Sequence, residues 1–261
     1  MNTEIVRLIT DADDMGCCHS ANRAFYDAYK KGILRNGNII ITGYAVDEAV
    51  EMFKNEKGFC LGLHATVTCE WNTHRWKPLL PAGRVRSFTE PDGTMMRTTM
   101  AIHRAGPRFA EMLAEMQAQL DKARALGLNI QYISTHMDPR WLFEKNEDDR
   151  FGDHVMKWVE KEGLVSRSSI TRTRLPEPPE GITDRIERFV WQINAAEPGL
   201  YMTVTHAAYD DEEMRGMWYE GNETPGAVAR ERDIDRLMYM DPRVLKACSD
   251  KGVRLVQYTD L

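Results

Sequence analysis

Three carboxylates at the end of an apolar run are where the chemistry of this chain begins. Residues Ile5 to Ile9 read as a strand, and it runs straight into Asp11, Asp13 and Asp14, followed by Met15 and Gly16. Carboxylates this close repel one another and call for a counter-charge, which a divalent cation supplies. The same layout recurs with histidine. Apolar runs end at His64 (from Phe59), at His136 (from Tyr132) and at His206 (from Leu200). Two imidazoles and one carboxylate make an ordinary shell for a divalent ion and keep positions open for water and substrate. Asp14, His64 and His136 are the candidate metal ligands. Neighbouring side chains on an extended strand diverge, so Asp13 and Asp14 can serve one ion only if the turn at Met15-Gly16 bends the backbone. One carboxylate then takes the metal and the other the metal-bound water, which is the equipment of hydrolysis. His206 is the candidate proton donor to a leaving amine on the far side of the substrate. Asp11 falls behind these groups.

The elements that must place these residues alternate. Strand-like runs at 5–10, 38–42, 59–64, 130–136, 164–168, 200–205 and 253–258 are interleaved with helical stretches at 20–31, 46–55, 108–126, 149–162, 184–195, 225–238 and 242–251. That rhythm predicts an α/β fold, a distorted (β/α) barrel of the TIM-barrel kind, with the chemistry at the C-terminal ends of its strands. Residues 69–106 break the rhythm with Pro78, Pro81, Gly83, Pro91 and Gly93, and are expected to form a long lid or substrate insertion. In it, Trp71 and Trp76 offer faces that could stack on sugar rings, and Arg75 offers a fork for hydroxyls or anions. Trp141, shortly after His136, could stack in the same way. The first turn after the acidic strand carries no Gly-rich phosphate loop. No repeat or linker interrupts residues 1–261, so one catalytic domain is expected.

Composition narrows the partners. The 261 residues are 43% hydrophobic and 28% charged, with a net charge of −6, as in a soluble globular enzyme and without the basic footprint of a nucleic-acid binder. No apolar run approaches the ~20 residues that span a bilayer, and Met1 to Arg7 lack a signal-peptide layout. The five cysteines, Cys17, Cys18, Cys60, Cys69 and Cys248, are odd in number and without paired metal spacing, so they read as reduced thiols of a cytoplasmic protein.

Several short motifs, in order along nearly the whole chain, resemble the YdjC-like carbohydrate deacetylase family, which includes chitooligosaccharide and hopanoid-type deacetylases. They are Ala12-Asp-Asp-Met-Gly16, Ser20-Ala-Asn22, Leu61-Gly-Leu-His-Ala-Thr-Val-Thr68, Thr135-His-Met-Asp138, His206 after its apolar strand, and Tyr258-Thr-Asp-Leu261. The resemblance implies a distorted barrel with one divalent metal on Asp14, His64 and His136, and Asp13 as the general base. The ion would be magnesium or zinc, with cobalt, nickel and manganese also compatible. It further implies removal of N-acetyl groups from an amino sugar or short, sometimes phosphorylated, oligosaccharide, and a homodimer. The family usually continues past the Thr-His-x-Asp element with further histidines, whereas this chain reads Asp138-Pro-Arg-Trp141. Asp138, Arg140 and Trp141 therefore join Trp71, Arg75 and Trp76 as candidate substrate contacts. The rival readings are another divalent-metal barrel enzyme, such as an isomerase, phosphoesterase or iron oxygenase, and a non-catalytic sugar-binding relative.

Overall fold

The computed structural model describes residues 5–138, 144–146 and 149–261. Its strands are β1 (Val6–Met15), β2 (Asn36–Ile39), β3 (Cys60–Ala65), β4 (Tyr132–Thr135), β5 (Glu144–Asn146), β6 (Asp149–Arg150), β7 (Val165–Ser166), β8 (Gly199–Thr205) and β9 (Arg254–Val256). Its α-helices are α1 (His19–Lys31), α2 (Val46–Phe53), α3 (Thr99–Ala105), α4 (Phe109–Ala125), α5 (Phe151–Lys161), α6 (Arg185–Ala195), α7 (Glu212–Arg215), α8 (Ala227–Met238) and α9 (Pro242–Asp250). Seven strands form one parallel sheet in the order β7-β4-β3-β2-β1-β8, with β9 also on β1. β5 and β6 make a small antiparallel pair.

Of the expected distorted (β/α) barrel, the α/β fold and its single parallel sheet are present. Among the described residues no ladder joins β7 to β8, so the sheet is open at that seam. The reason is local: β7 has only two residues, Val165 and Ser166, and pairs with β4 alone. The all-parallel arrangement still delivers every strand's C-terminal end to one face, where ligands bind in such sheets.

β1 is the spine. One edge pairs with β8 from Val6 to Ala12. The other is shared, by β9 at Arg7–Ile9 and by β2 from Asp11 to Met15. Asn36 fills the hand-over between β9 and β2: its amide donates to Thr10 O and Val256 O, and its Oδ1 accepts from Tyr258 N–H. The helices form for ordinary reasons. In α1, Ala21, Ala24, Phe25 and Ala28 put a buried stripe at helical spacing, and Cys18 Sγ caps the first turn by accepting from Ala21 N–H. In α4, Met112, Met116, Leu120 and Ala123 do the same.

Residues 69–106 pack down on α4. Trp71, Trp76, Val85, Phe88, Met95 and Ile102 all belong to the main core. Glu115 of α4 accepts from Leu79 N–H and Leu80 N–H, and Glu111 from Ser87 N–H. Among the described residues no helix is long and apolar enough to cross a membrane.

Candidate active site

The last turn of β1 breaks the alternation of strand side chains. The register with β2 slips between Ala12 and Met15, and Asp14 sits at φ +79, a left-handed conformation that costs a non-glycine residue about 1–3 kcal/mol and tends to persist at functional sites. The consequence is geometric. Asp13 and Asp14 turn to the same side: Asp13 Oδ2 lies 3.8 Å from His64 Nε2, and Asp14 Oδ1 lies 3.4 Å from the same nitrogen. Gly16 follows at φ +87, where a Cβ would stand 3.0 Å from Ile40 O. The chain turns there without a side chain in the way.

His64 is the last residue but one of β3 and His136 follows β4, the next strand of the sheet. His136 Nδ1 is 3.3 Å from Asp14 Oδ1. The ligand-capable atoms of Asp14, His64 and His136 lie within 4.8 Å of one another, and all three residues are buried. The fit to a divalent ion rests on one atom. Asp14 Oδ1 is buried with no hydrogen-bond donor, yet it faces two imidazole nitrogens whose partners on the far side of each ring are already taken. His64 Nδ1 is 2.7 Å from Ser134 Oγ, and His136 Nε2 is 2.8 Å from Glu70 Oε2. Two imidazoles and one carboxylate oxygen converging on one point, each steadied from behind, make a donor set that suits a divalent cation.

The carboxylates are balanced by two arginines from distant parts of the chain. Asp14 Oδ2 accepts from Arg232 Nη2 of α8 at 2.7 Å. Burial alone would raise the Asp14 carboxyl, but Arg232, His136 and His64 together hold it well below the usual carboxylate range. Asp13 Oδ1 accepts from Asn38 Nδ2 at 2.7 Å and from the guanidinium of Arg167, just past β7. Burial again pushes upward, and Arg167, His64 and His206 override it, so Asp13 is a carboxylate. Asp11 lies one layer deeper. It accepts from Tyr132 OH and Tyr258 OH, both at 2.7 Å, and from Arg167 at 3.2 Å. Its pKa is raised, by burial first, against the pull of Arg167. In the metal-free site Glu70 and Asp14 outweigh burial and push His136 up to about 10.

Asp13, Asp14, His64, Glu70, His136 and Arg232 line a cleft of about 350 Å³, and His206 and Tyr219 lie on its wall with them. His206 follows β8, and its backbone N–H is fixed by Asp235 Oδ2 at 2.8 Å. A carboxylate and an imidazole therefore share a cleft with the candidate ion site, an arrangement able to take a proton and return one.

Comparison with known proteins bears on the same residues. The YdjC-like protein family matches residues 7–143, a stretch that includes Asp13, Asp14, His64 and His136. The chain belongs to the YdjC-like family. Its relatives include a carbohydrate deacetylase of Listeria welshimeri, 24% identical over 217 residues, covering 80% of this chain and 84% of that one. A carbohydrate deacetylase of Listeria monocytogenes is 27% identical over the same coverage. A solved structure from Enterococcus faecalis V583, of a protein whose name proposes cellobiose-phosphate cleavage, superposes with a TM-score of 0.77 at 18% identity and covers 98% of both chains. At that identity the likeness speaks for the fold.

Other expectations for this YdjC-like chain fare differently. Trp71 is 0% and Trp76 2% exposed, so neither has a face free to stack on a sugar. Trp71 lies under the Arg232 guanidinium, 4.9 Å from ring centre to Cζ, and Trp76 meets the edge of the His136 ring at 5.4 Å. Both are buried behind the site, Trp71 against Arg232 and Tyr219 and Trp76 against His136. Arg75 is turned into the insertion, where it donates to Thr94 Oγ1 and Met95 O. Asp138 accepts from Thr135 Oγ1 at 3.2 Å and lines a neighbouring cleft at the open seam, shared with Arg167 and Arg172. Arg140 and Trp141 lie outside the described residues. Cys18 Sγ lies 3.7 Å from Cys17 Sγ and 3.9 Å from Met214 Sδ. Glu70, Arg167 and Arg232 were not singled out for the site from sequence; each sits far along the chain from the residue it serves and reads as an ordinary surface charge. The exposed indole beside the cleft-lining Tyr219 is Trp218, 40% exposed.

Proposed function

We propose that this YdjC-like protein is a metal-dependent carbohydrate deacetylase, hydrolysing the N-acetyl group of an amino sugar or short oligosaccharide to acetate and a free amine. The observation that carries the reading is the convergence of Asp14, His64 and His136 on one point, with Asp13 Oδ2 3.8 Å from His64 Nε2 and His206 in the same cleft. The names of its relatives support the substrate class.

A divalent ion held by Asp14, His64 and His136 would polarise the acetyl carbonyl and supply an activated water. The remaining steps belong to the chain. Asn38 and Arg167 occupy Oδ1 of Asp13, which leaves Oδ2 turned towards His64 and the cleft to accept the proton of the attacking water. Arg167 keeps that carboxylate ionised and fixes its rotamer, so the base is ready before substrate arrives. When the C–N bond breaks, His206, in the same cleft, delivers a proton to the departing amine. Arg232 keeps Asp14 charged and leaves its Oδ1 free to be a ligand. The insertion at 69–106 serves this reading as a scaffold for the site.

The test is acetate release. Protein reconstituted with zinc, cobalt or magnesium is incubated with N-acetylglucosamine and its short oligosaccharides, with and without a 6-phosphate. Acetate formed only in the presence of the ion supports the reading. Protein that binds the ion and forms no acetate from any of them overturns it.

A further inference from the structure

Glu70 is the second residue of the 69–106 insertion, and its carboxylate reaches the ring of a candidate metal ligand on a different strand. The Glu70 Oε2 to His136 Nε2 distance is 2.8 Å, and both side chains are largely buried. The insertion is built to hold it there. Arg97 Nη1 donates to Glu70 O and Trp71 O at 3.1 and 3.0 Å, Cys69 N–H donates to Met96 O, and the Trp76 ring edges the His136 ring. The backbone of His136 is pinned separately, by its N–H to Ala65 O at 3.0 Å.

A neutral imidazole has one N–H, and its partner decides which nitrogen carries it. With a carboxylate at Nε2, the proton that stays when an ion displaces the other sits there, and the Nδ1 lone pair faces the ion and Asp14 Oδ1. Without that carboxylate, the competing arrangement is Nδ1–H donated to Asp14 Oδ1, which has no other donor; it would block both groups as ligands at once. We infer that Glu70 is a positioning residue that locks His136 in its metal-ready tautomer, so the insertion supplies the outer half of the metal centre. The inference rests on the proposed metal site, but not on the identity of the reaction.

The experiment is calorimetric titration of cobalt(II) into metal-free full-length protein, with the visible spectrum of the bound ion as a second readout. Three proteins are compared: wild type, Glu70→Met, which keeps the length of the side chain but has no oxygen to accept from His136, and Glu115→Gln. Glu115 anchors the same insertion through Leu79 and Leu80 without touching His136, so it reports loosening of the insertion alone. The expected result is about 10- to 100-fold weaker binding for Glu70→Met, as for other partners of ligating histidines, with a shifted cobalt band and with Glu115→Gln binding as wild type. Equal affinity in Glu70→Met overturns the inference, and so does an equal loss in Glu115→Gln. A wild type that binds no cobalt instead overturns the metal reading beneath it. Near-ultraviolet circular dichroism of each protein confirms that the comparison is between folded chains.

Discussion

Replacing Arg232 by Met isolates the electrostatics of the site. Asp14 is fully buried, its Oδ2 accepts from Arg232 at 2.7 Å and its Oδ1 has no donor. Methionine is unbranched and fills much of the same space over the Trp71 ring, so the substitution chiefly removes charge and donor. Breaking one side of a buried ion pair costs about 3–5 kcal/mol, because the other charge is stranded. The lower end applies here, since the rings of His64 and His136 remain 3.4 and 3.3 Å from Oδ1 and face it when Arg232 is gone. At about 2–4 °C per kcal/mol for a domain approaching this size, the variant should melt some 6–12 °C lower in chelator. A saturating divalent ion then replaces the missing positive charge next to Asp14. Ligand at about a hundred times its dissociation constant stabilises a folded protein by about 2.7 kcal/mol, and the variant should gain more than wild type does. Thermal melts of both proteins, with EDTA and with zinc, read this directly. Identical melting in EDTA, or a gap that widens when zinc is added, would refute the reasoning.

Three further outcomes follow from particular contacts. His206→Gln should lower kcat by about 10²–10⁴, the range for a lost general acid, with the dissociation constant for the ion unchanged; a change in metal affinity instead would make His206 a ligand. Trp76→Ala should cost about 3–5 kcal/mol of stability as a core truncation, measured by urea denaturation, while Trp76→Phe leaves KM for sugar unchanged; a raised KM in the Phe variant would restore the stacking role. All five cysteines are buried, and burial pushes Cys60 and Cys69 up to about 12 and Cys248 to about 11. Iodoacetamide at mildly alkaline pH should therefore label the native protein far more slowly than the urea-unfolded chain, as thiolate is the reactive form; fast native labelling counted by mass spectrometry would show one of these thiols to be open.

The local part of the site was legible because each residue ends an apolar run, and the parallel sheet brings such ends together. Asp14, His64 and His136 meet where the sequence places them. What local pattern could not give was the path of β1. It reads as ending near Thr10, since Asp11, Asp13 and Asp14 look like loop residues, yet the strand continues to Met15 because β8 pairs with it to Ala12 and β2 to Met15, while Tyr132, Tyr258 and Asn38 donate hydrogen bonds to its carboxylates and two arginines balance their charge. Arg167 and Arg232 lie about 150 and 220 positions from the aspartates they pair with, as their separations of 154 and 218 show. No window of sequence connects them. The tryptophans of the insertion misled for the same reason: an indole offers a stacking face or a packing surface according to what tertiary structure lays over it. The distorted barrel read from the sequence takes the form of a parallel sheet whose two-residue β7 makes no ladder with β8 among the described residues.

The account turns on Asp13 as the base beside an intact ion site, and Asp13→Asn tests it most directly. Asparagine preserves the shape and can still meet Asn38 and Arg167 through its oxygen, but it cannot take a proton. Acetate release and bound metal are measured together on wild type and variant, using the best N-acetylated sugar found. The prediction is the same one ion per chain in both, with turnover lower by at least about 10² in the variant. An Asp13→Asn protein that keeps its ion and turns over like wild type would contradict the account.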